Sequence, residues 1–302
     1  MPLLKNASPI SSASPSALKA YILASRPKTW IASISPVLIG NAFAPSLNRS
    51  ILALTLLFSF LIQVGTNYAN DYFDFVKGVD SHLRNGPKRA TQEGWIEPKS
   101  LFTATLIVFS LALVIAIPLM IQAGLWSLFL VLLCIAFGIL YTGGPMPLGY
   151  LGLGEVFVFV FFGPVATCGS YFLQTGSLNM PILIGSLAPG FLSCSILIAN
   201  NLRDEKSDRI AKKNTLVVRF GKTFGSWEYT YCILLASLTG PILALAYSYP
   251  TLLIGTIFLT PISIPSIKKV FFFHDPFELI SVLQKSASYL FFYTLLYLFA
   301  LW

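Results

Sequence analysis

The sequence predicts an all-α polytopic membrane protein, and three observations support this prediction. More than half of the 302 residues are apolar (55%), only 11% are charged, and the mean hydropathy is +0.74. Several apolar stretches approach or exceed the length of about 18 residues that crosses the hydrocarbon core as a helix. The alternating pattern that a membrane β-barrel needs is absent, so helices that satisfy their own backbone are expected.

We assign nine transmembrane helices to these apolar stretches. They cover residues 30–46, 51–69, 101–121, 124–141, 155–174, 181–200, 227–247, 251–267 and 284–302.

The basic residues predict the orientation of the chain. If the N-terminus lies in the cytoplasm, the inner segments and the start of the last span hold all but one of the 20 Lys and Arg, the exception being Arg49. This bias follows the positive-inside rule. We therefore predict a multi-pass protein of the cell (inner) membrane, with its N-terminus and active-site loops in the cytoplasm.

The remaining composition limits the other classes of function. The Ser- and Pro-rich residues 1–18 are expected to form a disordered cytoplasmic tail, and residues 19–302 a single membrane domain. Basic loops beside membrane spans mostly set topology and contact anionic lipid, so the net charge of +8 does not indicate nucleic-acid binding. The sequence shows no obligate protein partner, and its four cysteines are too scattered to indicate a disulfide or a thiolate metal site.

Two polar strings follow the second and sixth predicted spans and resemble each other. Residues 70–80 form the first string and residues 200–208 the second. Each contains Asn-x-x-x-Asp, a four-residue step that places an amide and a carboxylate on one face of a helix, one turn apart. Half of the 12 acidic residues fall in these strings, and the repeated spacing favours function over surface ion pairing.

The donor atoms of the strings predict a site for a hard cation. Carboxylates about 6 Å apart repel by roughly 3 kcal/mol at an effective dielectric constant of about 20, and a bound cation removes this cost. Oxygen donors without Cys or His favour Mg²⁺ over Zn²⁺ or Cu²⁺. The candidate ligands are Asn70, Asp74 and Asp80 in the first string and Asn200, Asp204 and Asp208 in the second.

Basic residues near the strings indicate an anionic partner. Mg²⁺ usually binds through one or two carboxylates together with substrate phosphates, and Arg or Lys beside it would hold the same anion. A diphosphate fits this combination. The candidate contacts are Lys28, Lys88, Arg89 and Arg203.

Two further motifs are consistent with either structure or function. The basic and aromatic residues of 26–30 precede the first span, where they would serve equally well as an interfacial anchor. A Gly- and Pro-rich turn runs from Tyr141 to Glu155, and Glu155 begins a span, where a carboxylate is a functional candidate.

These four stretches, in this order, resemble those of the UbiA-type intramembrane prenyltransferases, and most closely the branch that prenylates dihydroxynaphthoate. They are residues 26–30, 70–80 with 86–89, 141–155, and 200–208 with 213–221. The resemblance extends over essentially the whole chain after residue 18, and no acid of either motif is missing.

The resemblance implies a ring of nine helices around a central cavity, capped by cytoplasmic loops. It implies an Mg²⁺-dependent enzyme that joins a polyprenyl diphosphate to 1,4-dihydroxy-2-naphthoate, with loss of diphosphate and CO₂. The candidate catalytic residues are then Asp71, Tyr141 and Glu155, of which either Asp71 or Glu155 would deprotonate the acceptor.

Two alternative functions are consistent with the same residues. Another aromatic acceptor, such as 4-hydroxybenzoate or homogentisate, would suit the same chemistry. A cation transporter would also need carboxylates, but transport sites normally lie near the middle of the bilayer, whereas both strings lie at span ends.

Overall fold

The computed structural model describes residues 15–78, 86 and 88–301, and this part of the chain is helical without strands, as the sequence predicts. Thirteen α-helices follow one another in these residues. They are α1 (Ala17–Ala24), α2 (Trp30–Ala42), α3 (Arg49–Val76), α4 (Pro98–Ala123), α5 (Trp126–Leu140), α6 (Gly154–Val160), α7 (Ala166–Thr175), α8 (Met180–Ile210), α9 (Leu216–Phe220), α10 (Lys222–Tyr247), α11 (Pro250–Leu259), α12 (Ile264–Phe272) and α13 (Glu278–Leu301). Residues 1–14 of the predicted tail lie outside the described part, and α1 begins inside the predicted tail boundary.

Local sequence explains where several helices begin and end. The side chain of Asn48 accepts hydrogen bonds from two backbone N–H groups at the start of α3, and Asn179 caps α8 in the same way. Gly124 separates α4 from α5 at φ +96°, a conformation that strongly favours glycine. A π-helical turn (Phe161–Val165) lies between α6 and α7 and contains Pro164, which has no N–H to donate. Because this turn is itself helical, α6 and α7 form one continuous span.

Seven helical stretches in the described residues are long and apolar enough to cross a membrane, so the predicted count of nine is not confirmed. They are Arg49–Val76, Pro98–Ala123, Gly154–Thr175, Met180–Ile210, Lys222–Tyr247, Pro250–Phe272 and Glu278–Leu301. Helices α5 and α2 match the other two predicted spans but have only 15 and 13 residues. Both are shortened by breaks that hydropathy does not detect, since α2 ends just before Pro45 and α5 begins after Gly124.

Helix α8 lies at the centre of the bundle. In its apolar window 72% of the residues are buried, against 22% in the span of α11 and α12. It packs against α2, α6, α10 and α13. Close approach to the π turn depends on small residues, because a Cβ on Gly163 would lie 2.9 Å from the backbone oxygen of Ser186.

Helices α3 and α8 extend well past the predicted spans and include parts of both polar strings. Helix α3 continues through Asn70 and Asp74 to Val76, and α8 continues through Asn200 and Asp208 to Ile210. The four-residue spacing therefore acts as predicted, since each Asn-x-x-x-Asp step lies within a helix. The two helices thus place both sets of polar side chains at the same end of the bundle, where the turn between α5 and α6 contacts the first set and the loop that follows the second.

Candidate active site

The first string anchors its side chains in two neighbouring loops. Asn70, Asp71 and Asp74 are all buried. The amide oxygen of Asn70 accepts a hydrogen bond from the Thr142 hydroxyl at 2.8 Å, which ties the end of α3 to the turn after α5.

Both oxygens of the Asp74 carboxylate have partners. Arg89 donates from a guanidinium nitrogen to Oδ2 at 2.6 Å, and the Tyr150 hydroxyl donates to Oδ1 at 2.8 Å. Arg89 and Asp74 form a buried ion pair, with side chains 8% and 6% exposed. Such a pair is costly to break from one side only, so the position of Asp74 is tightly fixed.

Asp71 binds the loop that precedes α4. Its carboxylate accepts hydrogen bonds from the backbone N–H of Ala90 (3.1 Å), the backbone N–H of Thr91 (3.4 Å) and the Thr91 hydroxyl. All three residues are buried. The Asp71 side chain therefore has an evident structural task, which is to hold the loop that carries Arg89.

The second string has a matching set of ion pairs. Arg203 donates two hydrogen bonds to the neighbouring Asp204 carboxylate, at 2.8 and 2.6 Å. The Lys213 ammonium lies 3.5 Å from Asp208 Oδ1. The Asn200 side chain donates to the backbone oxygen of Ile196, one turn earlier in α8.

The turn between α5 and α6 joins the two strings. Its Thr142 and Tyr150 contact the first string, and the Tyr150 backbone oxygen accepts a hydrogen bond from Asn214 N–H at 3.0 Å, just after the second string. Gly152 adopts φ +71°, and a Cβ there would lie 2.9 Å from the Asn214 backbone oxygen. A larger residue would separate the turn from the loop after α8.

The predicted diphosphate contacts occupy different environments. Arg89 and Arg203 are buried beside the two motif carboxylates, whereas Lys28 is exposed. Lys88 is also exposed and pairs with Glu93 at 2.9 Å.

Two lysines add positive charge beside the motif carboxylates, and one of them, Lys77, was not predicted as a binding candidate. Lys77 Nζ donates to the backbone oxygens of Thr142 (2.6 Å) and Gly144 (3.1 Å) and lies 5.1 Å from the centre of the Tyr150 ring. Lys213 Nζ lies 6.0 Å from the same ring centre. Burial lowers the pKa of the Lys77 ammonium, and the Asp74 carboxylate opposes this shift. The position of Lys77 one turn after Asp74 was a sequence signal for it.

Glu155 and Tyr141 lie together beside the second string. Glu155 is buried at the start of α6, and the Asn201 side chain donates to its Oε1 at 2.7 Å. A Cβ on Gly154 would lie 2.9 Å from the Tyr141 hydroxyl, so that glycine makes room for the ring. A phenol in water titrates at about pH 10, so the Tyr141 hydroxyl is a hydrogen-bond donor at neutral pH.

An apolar cavity of about 200 Å³ begins just beneath the polar cluster. On α3 its wall starts at Thr66, one turn before Asn70, and it runs along α5 from Tyr141 to Trp126. Fifteen helical residues rise about 22 Å, so the cavity follows most of the thickness of a bilayer core. The wall is mainly apolar, including Val131, Phe157 and Phe161.

The donor set of the two strings fits a hard divalent cation in kind, because it consists of amide and carboxylate oxygens without sulfur or imidazole. Within the described residues, no three His, Cys, Asp or Glu side chains cluster closely enough to hold a metal by themselves. Phosphate oxygens and waters would have to complete the shell, as is usual for Mg²⁺. Asp80, the third predicted ligand of the first string, lies outside the described residues.

Comparison with known families decides the class of this molecule. A model of the UbiA prenyltransferase family matches residues 33–296. The chain belongs to the UbiA prenyltransferase family. The membership predicted from the four motifs is therefore confirmed, and with it a multi-pass membrane protein.

Two curated relatives in this family carry the same name, 1,4-dihydroxy-2-naphthoate octaprenyltransferase. The protein from Mycobacterium tuberculosis is 39% identical over 204 residues, which cover 67% of this chain and 70% of that protein. The protein from Haemophilus influenzae is 34% identical over 286 residues, which cover 89% and 91%. The closer likeness to the naphthoate branch is thus confirmed.

A solved structure shows the same fold. It is a UbiA homolog from Archaeoglobus fulgidus bound to GPP and Mg²⁺, with a TM-score of 0.64 and 15% identity over 92% of this chain and 99% of that one. At this identity the likeness establishes the architecture alone, which agrees with the helical bundle expected for the family.

Proposed function

We propose that this UbiA family member transfers a polyprenyl group from a polyprenyl diphosphate to 1,4-dihydroxy-2-naphthoate, releasing diphosphate and CO₂, as a step of menaquinone biosynthesis. The observation that supports this most directly is the position of two ion-paired Asp strings at the mouth of an apolar cavity. The names of the two bacterial relatives indicate the acceptor. The end of the helical bundle that carries the two strings would face the cytoplasm, in agreement with the excess of Lys and Arg in the segments at that end.

The strings would bind the diphosphate together with Mg²⁺. Asn70, Asp74 and Asp80 would supply one set of oxygen ligands, and Asn200, Asp204 and Asp208 the other. When bound, Mg²⁺ would supply positive charge that stabilises the departing diphosphate.

The basic residues would bind the same leaving group directly. Arg89 and Arg203 already lie against the motif carboxylates, so a diphosphate placed between the strings would be within their reach. Lys77 and Lys213 add two ammonium groups beside the Tyr150 ring. Lys88 and Lys28, which are exposed, would contact the anion as it enters.

The cavity would hold the prenyl chain and exclude water from its reactive end. As the allylic C–O bond breaks, the electron pair leaves with the diphosphate, and the allylic carbon becomes cation-like in apolar surroundings. An electron-rich carbon of the naphthoate attacks it, and loss of CO₂ restores the aromatic ring. Tyr141, which stays protonated, would donate a hydrogen bond at the junction between cavity and polar cluster.

For the base that takes the acceptor's hydroxyl proton, we favour Glu155 over Asp71. In the described part of the chain, Glu155 accepts a hydrogen bond from one side chain, that of Asn201, and it lies beside Tyr141, which lines the cavity. Asp71 is committed to the backbone of the loop at Ala90 and Thr91. We expect Glu155→Gln to lower kcat by about 10²- to 10⁴-fold, the usual contribution of a general base.

Purified protein in lipid nanodiscs, supplied with labelled prenyl diphosphate, Mg²⁺ and, in separate reactions, each candidate acceptor including 1,4-dihydroxy-2-naphthoate, tests the proposal. We expect mass spectrometry to detect prenylated, decarboxylated naphthoate product, and chelation of the metal to abolish it. Product with 4-hydroxybenzoate or homogentisate but not with the naphthoate would overturn the acceptor assignment. Cation flux through liposomes without any prenyl product would overturn the enzyme class.

Variants of the strings test the metal assignment. We expect Asp74→Ala and Asp204→Ala each to abolish Mg²⁺-dependent transfer in protein that still folds. Glu205→Ala is the matched control, because Glu205 is adjacent to Asp204 but pairs with the exposed Arg209 on the helix surface. Near-normal turnover by either Asp variant would contradict the assignment.

A further inference from the structure

Tyr150 contacts three parts of the polar cluster at once. Its hydroxyl donates to Asp74 Oδ1 in the first string, and its backbone oxygen accepts from Asn214 after the second string. Its ring lies near the ammonium groups of Lys77 and Lys213.

The hydroxyl of Tyr150 completes the orientation of Asp74. Arg89 holds Oδ2 of the Asp74 carboxylate by a charge-assisted hydrogen bond, and one such bond does not by itself fix the plane of a carboxylate. The second bond, from Tyr150 at 2.8 Å, fixes the plane of the group. A carboxylate with a fixed plane presents its remaining lone pairs in one direction, as a ligand for a small octahedral cation must.

The ring of Tyr150 positions the two lysines. Ammonium groups within about 6 Å of an aromatic ring centre are attracted to its face, more strongly where water is excluded. The measured separations are 5.1 Å for Lys77 and 6.0 Å for Lys213. Lys77 belongs to the end of the first string's helix and Lys213 to the loop after the second, so one ring gathers positive charge from both sides of the cluster.

We propose that Tyr150 is a positioning residue that orients Asp74 for the metal and holds Lys77 and Lys213 for the diphosphate. This inference rests on the proposed function, since it assigns Tyr150 to the same site. Tyr150 acts through these partners and touches no reacting atom.

Binding of Mg²⁺ together with inorganic diphosphate, measured by calorimetry on the full-length protein in detergent, tests the role without relying on turnover. We expect Tyr150→Phe, which loses the hydroxyl bond to Asp74 but keeps the ring, to bind Mg²⁺ with diphosphate about tenfold more weakly, or about 1.4 kcal/mol. Tyr150→Leu also loses the ring, and we expect its affinity for diphosphate to fall by a further tenfold or so.

Tyr68→Phe is the matched control. Tyr68 lies on α3 near the first string, and its hydroxyl donates to the backbone oxygen of Tyr21 at 3.1 Å rather than to a motif carboxylate. We expect this variant to bind as the unmodified protein does. Equal binding by Tyr150→Phe and Tyr68→Phe would overturn the proposal.

A double-mutant cycle separates positioning from general stability. If Tyr150 acts through Asp74, adding Tyr150→Phe to Asp74→Asn changes Mg²⁺ half-saturation little, and full additivity would contradict the proposal.

Should Tyr150→Phe not fold, Tyr150→His replaces it, because His keeps a ring and an N–H donor. Binding nearer to the unmodified protein than that of Tyr150→Leu supports the role, and equal binding by the two overturns it.

The two hypotheses fail in different ways. Absence of prenyl transfer by the unmodified protein would refute the proposed function. The binding measurements would still test whether Tyr150 contributes to binding of Mg²⁺ with diphosphate. If the unmodified protein transfers the prenyl group, and the Tyr150 variants bind Mg²⁺ with diphosphate and turn over as it does, the positioning role alone is refuted.

Discussion

Replacing Asp71 tests whether this buried acid is a structural anchor or a base. In Asp71→Ala the backbone N–H groups of Ala90 and Thr91 lose their acceptor while both residues remain buried. An unsatisfied buried donor costs about 1–3 kcal/mol, and the 3.4 Å bond of Thr91 is the weaker of the two. The free energy of unfolding should therefore fall by about 2–4 kcal/mol.

Local hydrogen exchange measures this loss where it occurs. A loss of 2 kcal/mol raises the opening equilibrium by roughly 30-fold, so the amides of the loop at residues 88–97 should exchange faster by at least this factor. Asp71→Asn keeps one side-chain oxygen and should cost about half as much. Its kcat and its pH profile should stay close to those of the unmodified protein if Glu155 is the base, as proposed.

Asp275→Ala is the control for losing a carboxylate that accepts a backbone hydrogen bond. Asp275 accepts from Phe277 N–H in an exposed turn, so water replaces the lost partner and the cost should be below about 1 kcal/mol. Unchanged exchange in Asp71→Ala, combined with a kcat about 10²- to 10⁴-fold lower in Asp71→Asn, would refute the anchor and identify Asp71 as the base.

Three further outcomes follow from single contacts. Asn201→Leu removes the 2.7 Å bond to Glu155, and steady-state kinetics should show kcat reduced by about 10- to 100-fold with KM for the prenyl diphosphate unchanged. Gly169→Val adds bulk to the cavity wall where a Cβ would meet no atom within 4 Å, so the ratio of kcat/KM for short over long prenyl donors should rise; an unchanged ratio would argue against this cavity as the chain site. Gly40→Ala would place a Cβ 2.2 Å from the Thr167 backbone oxygen, and thermal unfolding should show a loss of about 1–3 kcal/mol.

The helices and the location of the polar strings could be predicted because both depend on local sequence. Apolar stretches predicted where the helices lie, and the spacing of Asn70 to Asp74 and of Asn200 to Asp204 placed each pair on one helical face. Helix lengths were harder to predict, since α2 ends and α5 begins at backbone features that a hydropathy window averages away. Hydropathy also ended α3 and α8 too early, because the polar residues that follow their apolar parts remain helical.

The contacts within the cluster could not be predicted because they join distant residues. Tyr150 meets Asp74 from 76 positions away, and Asn201 meets Glu155 from 46. The packing of α3, α6 and α8 sets these distances, and one sequence carries no direct signal of them. The turn itself gave a partial signal, since Gly152 adjoins Tyr150 and adopts a conformation that favours glycine.

The ion pairs of the cluster explain how the site keeps its carboxylates near a membrane between turnovers. Asp74, Asp204 and Asp208 each lie against a cation, namely Arg89, Arg203 and Lys213. A buried carboxylate without such a partner would be strongly destabilising. Under the proposed function, Asp74, Asp204 and Asp208 would hold Mg²⁺ together with the diphosphate, and Arg89, Arg203 and Lys213 would then be available to contact phosphate oxygens. The basic residues that pair with these three carboxylates in the structure would then also stabilise the leaving group.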